Sequence, residues 1–337
     1  MEIHEKSMSE TKPLPAALAH LRIPVIGAPM FIVSNPELAL AQCKAGIVGS
    51  FPSLNARPAS ELDAWLARIV AELAEWNAAH PGEPAGPFAV NLIVHRSNDR
   101  LKQDLETCVK WKVPIVITSL GARPEVNDAV HAYGGLVLHD VISNEFAQKA
   151  IEKGADGLIL VAAGAGGHAG TWSPFALVEE VRRWFAGPIA LAGAIATGRA
   201  VLAALACGAD FAYVGSAFIA TREANAPQGY KRALVEGSAA DIVYTDYFTG
   251  VRGNYLKSSI VAAGLDPEKL PRGDPASMSF GSGAAHAAKA WRDIWGCGQG
   301  LGAIDAVVSA AELIARLGEE LDAARGALAR RLSAAGR

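Results

Sequence analysis

The chain is short of charge, of cysteine and of long apolar runs, and each shortage closes off a class of function. Charged residues make up 19% of the 337, and 31 Lys and Arg against 34 Asp and Glu leave a formal net charge of −3 with no basic block. Such a surface has no electrostatic footprint for nucleic acid or an anionic membrane, so small molecules are the expected partners. Only four cysteines occur, Cys43, Cys108, Cys207 and Cys297, none in a C-x-x-C pair. Neither a disulfide framework nor a zinc knuckle is indicated, and a reducing cytoplasm is the expected compartment. No run of about 18 apolar residues is there to span a membrane. The polar opening MEIHEKSMSETK lacks the apolar stretch of a secretory signal, and residues 1–12 are expected to form a flexible tail. H-E-x-x-H, clustered carboxylates, a Walker A lysine motif and a G-x-S-x-G elbow are also missing, which argues against metal-dependent and covalent hydrolysis.

Apolar residues and glycine are plentiful, 51% and 34 residues, enough for a sizeable core. Eight short runs read as strands: Pro24–Ala28, Gly46–Phe51, Phe88–Leu92, Pro114–Thr118, Leu136–His139, Gly157–Val161, Pro188–Ala192 and Phe211–Val214. Most are continuously apolar, as parallel strands buried on both faces are. Helical stretches lie between them near 35–45, 59–79, 98–110, 124–132, 144–153, 174–185 and 197–207. Ser34, Ser60, Ser143 and Ser173 stand at expected N-caps, and Gly46, Gly154 and Gly208 at expected stops. The units Glu152-Lys-Gly-Ala-Asp156 and Ala206-Cys-Gly-Ala-Asp210 repeat one joint, from helix through glycine into strand. Eight such strands predict a closed (β/α)8 TIM barrel, a fold of about 250 residues.

The rhythm stops after residue 225. Residues 226–290 are rich in Gly, Ser and Pro, carry Tyr244, Tyr247, Phe248 and Tyr255, and are expected to form an inserted cap. The aromatic cluster serves equally as a pocket wall or a homodimer surface, although a small hydrophobic core is its simplest account. Helical spacing resumes over 303–335 and supplies a final barrel helix, so that 13–225 and 291–337 make the barrel.

Active sites of such barrels lie at the C-terminal strand ends. Gly27-Ala-Pro-Met30 follows the first strand, Asn91 interrupts the apolar third, and Ala162-Ala-Gly-Ala-Gly-Gly-His-Ala-Gly170 follows the sixth. Strands seven and eight end in Gly193 and in Gly215-Ser216, where barrels place a phosphate on backbone N–H groups. Either glycine alone reads as an ordinary tight turn; the two together, at these two strands, favour an anion site. Gly164-Ala-Gly-Gly-His-Ala169 has the form of a dinucleotide fingerprint, but the next helix starts only near Ser173-Pro174 and no acidic strand end follows, so that reading fails. The glycines instead suggest a flexible loop presenting His168. A lone histidine is more often structural, but one set among glycines has little to pack against, and imidazole is useful near neutral pH. His139 ends strand five as a ligand contact or a rim histidine. His4, His20, His80, His95, His131 and His286 lack metal-ligand spacing.

Ala28-Pro-Met30, Asn91, Ala165-Gly-Gly-His-Ala-Gly170, Ala192-Gly193, Val214-Gly-Ser-Ala-Phe-Ile-Ala-Thr-Arg-Glu223 and Trp295-Gly-Cys-Gly-Gln-Gly-Leu301 occur in an order that resembles the nitronate monooxygenase (2-nitropropane dioxygenase) family. The resemblance implies an FMN-dependent TIM barrel with a mainly helical cap. It places the FMN phosphate near Gly193, Gly215 and Ser216, the ring near Ala28, Pro29, Met30, Asn91 and the His168 loop with Gly166 and Gly167, and counts His139, Ala192 and Gln299 among the cofactor-binding residues. His168 would bind the nitro group or take a proton from a nitroalkane, in an oxidation of nitronate by O2 to a carbonyl compound and nitrite. Val161-Ala162, His139 and Gly296 stand where some relatives carry an acidic residue, a lysine and a serine, which leaves substrate and electron donor open. Two rivals stay in play: an NAD(P)H-dependent flavin reductase of quinones or enoyl thioesters, and a non-catalytic flavin-binding protein.

Overall fold

The computed structural model describes residues 13–273 and 293–335; the sequence-predicted tail, His4, His286 and part of the cap lie outside them. Eight parallel strands appear where the apolar runs stand: β1 (Val25–Gly27), β2 (Gly49–Pro52), β3 (Phe88–Ile93), β4 (Ile115–Ser119), β5 (Leu136–Val141), β6 (Gly157–Val161), β8 (Ile189–Ala192) and β9 (Phe211–Val214). A two-residue strand, β7 (Gly167–His168), intervenes. The sheet runs β1-β9-β8-β6-β5-β4-β3-β2. A parallel bridge between Ile26 and Val48 closes it into a barrel, since β1 and β2 thereby meet.

Alternation along each strand divides the side chains between two cores. Inward go Ile26, Val48, Ala89, Ile115, Ile117, Leu136, Leu138, Ile159, Ala190 and Phe211, with Leu18 of the short helix Ala16–Leu18 packed among them. Outward go residues such as Val90, Val116, Val137, Leu158 and Leu191, against the helices. Those helices are α1 (Pro36–Lys44), α2 (Glu61–Ala79), α3 (Leu101–Lys110), α4 (Pro124–His131), α5 (Asn144–Glu152), α6 (Pro174–Arg182) and α7 (Gly198–Ala206), followed by the single turn α8 (Ser216–Ile219). The eighth position is filled by α11 (Ala310–Ala335), which packs against α7 and α1. At Gly198 the approach is so close that a Cβ would stand 2.2 Å from the Leu321 nitrogen.

Caps differ in part from the sequence reading. Asn35, not Ser34, caps α1 by accepting from the Leu38 N–H at 2.9 Å, while Ser34 accepts from the Met30 N–H. Ser143 caps α5 as expected; Ser60 and Ser173 stand at helix starts without a side-chain bond. The Gly-Ala-Asp repeat is a structural joint. Gly154 and Gly208 take φ of +95° and +102°, a region that L side chains avoid. The Asp that follows reaches back to the neighbouring strand: Asp156 accepts from the Val137 N–H and Asp210 from the Ile189 N–H, each at 2.8 Å.

Beyond the barrel strands, the described part of residues 226–290, expected from sequence to be a cap, holds α9 (Gln228–Glu236), β10 (Ile242–Thr245), β11 (Gly253–Leu256) and α10 (Lys257–Ala262). The hairpin β10-β11 was not expected from sequence, and it extends onto β7 as a three-stranded antiparallel sheet. Phe248 and Tyr255 pack edge to face in a small core with Ile260 and Ile294, as the aromatic spacing suggested. Tyr244 is not part of it: it is partly exposed, and its hydroxyl donates to the Ala169 carbonyl at 2.9 Å. All four cysteines are free thiols. No described helix is long and apolar enough to cross a membrane.

Candidate active site

The C-terminal strand ends surround a cavity of about 1040 Å³. Ligand pockets usually run roughly 300–1000 Å³, so this one has room for a cofactor and a substrate together. Ala28, Pro29, Met30, Asn91, Gly166, Gly167, His168, Ala192, Gly193, Gly215 and Ser216 all line it. Separate strand ends thus converge on one mouth, as the barrel rule requires.

On one side lies a group of open backbone donors. Among the described residues, the backbone N–H groups of Gly193, Gly215 and Ser216 have no acceptor. These residues are partly buried at the cavity wall, and a set of open donors at two adjacent strand ends fits a phosphate or similar anion. Space agrees with this. Gly215 has φ −112°, which any residue can adopt, and an added Cβ would meet Ala28 and Met30 only at 3.5 and 3.7 Å. Nothing in the fold demands glycine there, whereas close approach of a ligand does.

His168 stands on β7 and is not on a free loop. Its strand pairs with β11 in the register His168 with Gly253 and Gly167 with Asn254. Asn254 donates to the Ala165 carbonyl at 2.6 Å, so cap residues clasp the glycine segment on both sides of the histidine. The ring Nε2 lies 3.0 Å from Thr249 Oγ1, and that hydroxyl donates to the Val251 carbonyl at 3.0 Å. With the Thr249 proton on that carbonyl, Nε2 is the ring nitrogen that donates to Thr249. Burial pushes the imidazole pKa down to about 4, so the ring is neutral at pH 7.

The barrel floor facing the cavity is more polar than the strand sequences suggested. Asn91 Nδ2 donates to the Ile117 carbonyl at 3.0 Å and to Ser119 Oγ at 2.7 Å, and the Ser119 hydroxyl donates to Asp140 Oδ2. Asp140, Ser119 and Tyr213 line the cavity and were all missed from sequence. The signal was available: Asp140 follows His139 in a run that is otherwise apolar. Burial raises the Asp140 pKa to about 6, against the opposing effect of the Ser119 hydrogen bond. Tyr213 is pushed well above its ordinary value by burial and by the neighbouring Asp140, so its phenol stays protonated.

Two expected residues sit differently. His139 borders the cavity from the helix side of β5, the side of Val137 and Val141, where it is buried with Nδ1 2.6 Å from Thr118 Oγ1. Burial, with Lys153 nearby, holds its pKa near 4. The inward group at that strand end is therefore the next residue, Asp140. Gln299 is exposed and lies outside the cavity wall; its neighbours Gly298 and Gly300 form the wall, while its backbone N–H donates to the Gly164 carbonyl at 2.9 Å. His95, set aside in the sequence reading, does line the cavity, as do Tyr230 and Trp295, whose rings stack at 4.9 Å. Among the described residues no group of three or more His, Cys, Asp or Glu side chains could hold a metal ion.

Comparison with known proteins agrees with this geometry. A nitronate monooxygenase of Paraburkholderia phytofirmans is 28% identical, covering 88% of this chain and 92% of its own length. The structure of a nitroalkane oxidase from Streptomyces ansochromogenes has a TM-score of 0.75 at 26% identity, covering 93% of this chain and all of that one. FabK from Thermotoga maritima has a TM-score of 0.72 at 24% identity, over 94% of this chain and 97% of its own, a likeness of fold. A sequence model of the family described as nitronate monooxygenase matches residues 59–320. A closed barrel, open backbone donors at two strand ends and a histidine lining the cavity thus coincide with a match over most of the sequence, and the chain belongs to the nitronate monooxygenase family.

Proposed function

We propose that the protein is an FMN-dependent enzyme that oxidises alkyl nitronates, and their parent nitroalkanes, with O2 to a carbonyl compound and nitrite. The observation that carries this reading is the neutral His168, fixed by Thr249 at a cavity that also holds a group of open backbone donors.

The residues present fit the cofactor. Open N–H groups of Gly193, Gly215 and Ser216 suit its phosphate. Apolar and small walls at Ala28, Pro29, Met30 and Ala192 suit a flat ring, with Asn91, Ser119, Asp140 and Tyr213 as polar contacts below it. When bound, the flavin supplies the electron transfer between substrate and O2. The chain supplies the rest.

His168 is neutral at working pH and so is a base rather than a fixed cation. A nitroalkane carries an acidic carbon proton, and a neutral imidazole beside it takes that proton to give the nitronate. An imidazolium so formed pairs with the nitronate charge. A substrate that arrives as a nitronate needs only the orientation and the hydrogen bonding. The β7–β11 pairing and the Asn254 bond hold the imidazole in place through both. Stacked Tyr230 and Trp295 give the cavity an aromatic wall. The segment 226–290 contributes Thr249 and Val251 near the histidine, and substrate preference is expected to reside there.

The test is an anaerobic titration of FMN-reconstituted protein. Bleaching of the flavin absorbance by a short-chain nitronate, without NADH or NADPH, supports the proposal. Bleaching by NADH or NADPH alone would overturn it in favour of a reductase. Failure to take up FMN would remove the flavin reading as well.

A further inference from the structure

The strongest unassigned feature is the carboxyl group on the barrel floor. Inward positions at the top of the strands are Asn91, Ser119, Asp140, Val161, Ala192 and Tyr213, and Asp140 is the sole acid among them. Its surroundings decide which of its oxygens can titrate. Asn91 has its amide nitrogen on the Ile117 carbonyl, which only accepts, so the amide orientation is settled. The same nitrogen donates to Ser119 Oγ, and the Ser119 proton is left for Asp140 Oδ2. Oδ2 is thereby fixed as an acceptor. Oδ1 has no hydrogen-bond partner among the described residues, and the residue lines the cavity, so a proton on Asp140 belongs on the cavity side. The Tyr213 hydroxyl, close enough to feel this carboxyl, also has no hydrogen-bond partner among the described residues.

Resting on the flavin reading above, we propose that Asp140 tunes the bound flavin: ionised, it opposes electron uptake by the ring, and protonated, it donates a hydrogen bond through Oδ1 and removes that opposition. Charge near the ring is one of the few means by which a protein sets the electronics of a flavin. The field of a carboxylate is strong in a site walled by apolar groups. Burial places the titration near pH 6, within reach of ordinary conditions. Other ionisable groups on the cavity wall are Arg57, His95, His139, Lys149, Lys153, His168 and the phenols of Tyr213 and Tyr230, which burial pushes well above their ordinary value. Arg57, Lys149 and Lys153 are exposed, and both His139 and His168 are neutral down to about pH 4. His95 is half-buried and is the group to control for.

The experiment measures the flavin midpoint potential by dye equilibration, at pH 5 and pH 8, in wild type, Asp140→Asn and Ser119→Ala, each reconstituted with FMN. Asn copies the shape and neutrality of the protonated acid. The Asp140→Asn potential is expected to be close to wild type at pH 5 and more positive than wild type at pH 8. In a His95→Gln background the same widening is expected. Ser119→Ala removes a bond that favours the ionised form, so, with pH 6.5 added to the series, its potential should match wild type at pH 5 and be more positive than wild type at pH 6.5. This arm is read against wild type alone and decides the matter if Asp140→Asn fails to fold; a Ser119→Ala potential equal to wild type at all three pH values then overturns the tuning role. Bound flavin whose potential differs between wild type and Asp140→Asn by the same amount at both pH values, or not at all, overturns the tuning role and leaves the flavin site intact. Wild-type protein that takes up no FMN overturns both.

Discussion

His168 Nε2 lies 3.0 Å from the hydroxyl of Thr249, 81 residues further along the chain, so a residue outside the barrel strands orients the histidine. The Thr249 hydroxyl also bonds the Val251 carbonyl, and with its proton there it accepts from the ring. Residues outside the barrel strands thus orient the histidine on which the proposed reaction depends. Their removal would leave β7 without the strand that pairs it.

Thr249→Val keeps the shape and removes the acceptor. The ring then loses its orienting bond but keeps its nitrogens, and turnover with a nitroalkane should fall about 10-fold, a part of the roughly 100-fold that general acid–base catalysis contributes at its lower end. Thr249→Ser should restore most of it. His168→Ala should cost roughly 100-fold or more with FMN still bound. Steady-state kinetics with the flavin spectrum recorded on the same samples checks both, and an unchanged rate in His168→Ala would take the histidine out of the mechanism.

Much of the barrel was legible because its signals are local. A run such as GLILV, bounded by the Gly-Ala-Asp turn, is a buried parallel strand wherever it occurs. The hairpin β10-β11 was not legible, because four residues such as GNYL carry little strand preference and owe their conformation to partners at 167–168 and 242–245. The site divides in the same way. Glycines and His168 stand out in a sequence, but Asp140 was passed over for its neighbour His139. Which of two adjacent strand residues faces the barrel interior is set by register, and a shift of one residue exchanges them.

The two Gly-Ala-Asp joints look alike in sequence and should differ in cost. Asp210 Oδ2 accepts from the Ile189 N–H and pairs with Arg182, whose guanidinium is buried and also donates to the Gly208 and Gly187 carbonyls. Asp210→Ala leaves that charge uncompensated and should destabilise by about 3 kcal/mol. Asp156 makes the equivalent strand bond, but its other partner is the half-exposed His131. Asp156→Ala should cost about 1 kcal/mol, the loss of one hydrogen bond to the backbone. Urea denaturation of the two variants compares them directly.

Acid should weaken the fold before it reaches the ordinary carboxylate range. His139 and His168 are held near 4 by burial, below the 6.5 of a free imidazole. The unfolded chain therefore takes up protons that the folded one refuses, and stability present above pH 6.5 is lost as pH falls toward 4. For the buried His139 the loss is on the order of 3 kcal/mol. Asp140 acts in the opposite sense: raised from 3.8 to about 6, its contribution is full below 3.8 and lost as pH rises through 6. Two histidines outweigh one acid, so the urea midpoint should fall from pH 7 to pH 4.5. His139→Gln should flatten that fall, and Asp140→Asn should steepen it.

Gly215→Ala separates the fold from the ligand. The backbone at Gly215 is in a region open to alanine, and the new methyl would meet its protein neighbours at ordinary contact distance. Stability should therefore stay within about 0.5 kcal/mol of wild type, as for substitutions that meet no special feature. A phosphate seated on the Gly215 and Ser216 N–H groups, however, needs the space the methyl takes. FMN affinity should drop at least ~10-fold, or about 1.4 kcal/mol. Riboflavin has the same ring without the phosphate, so its weaker binding should be nearly unaffected by the substitution. Fluorescence titration with both ligands distinguishes the cases. Equal losses for FMN and riboflavin would mean that the open donors at β8 and β9 meet the ring, and that the orientation assigned to the cofactor has to be reversed.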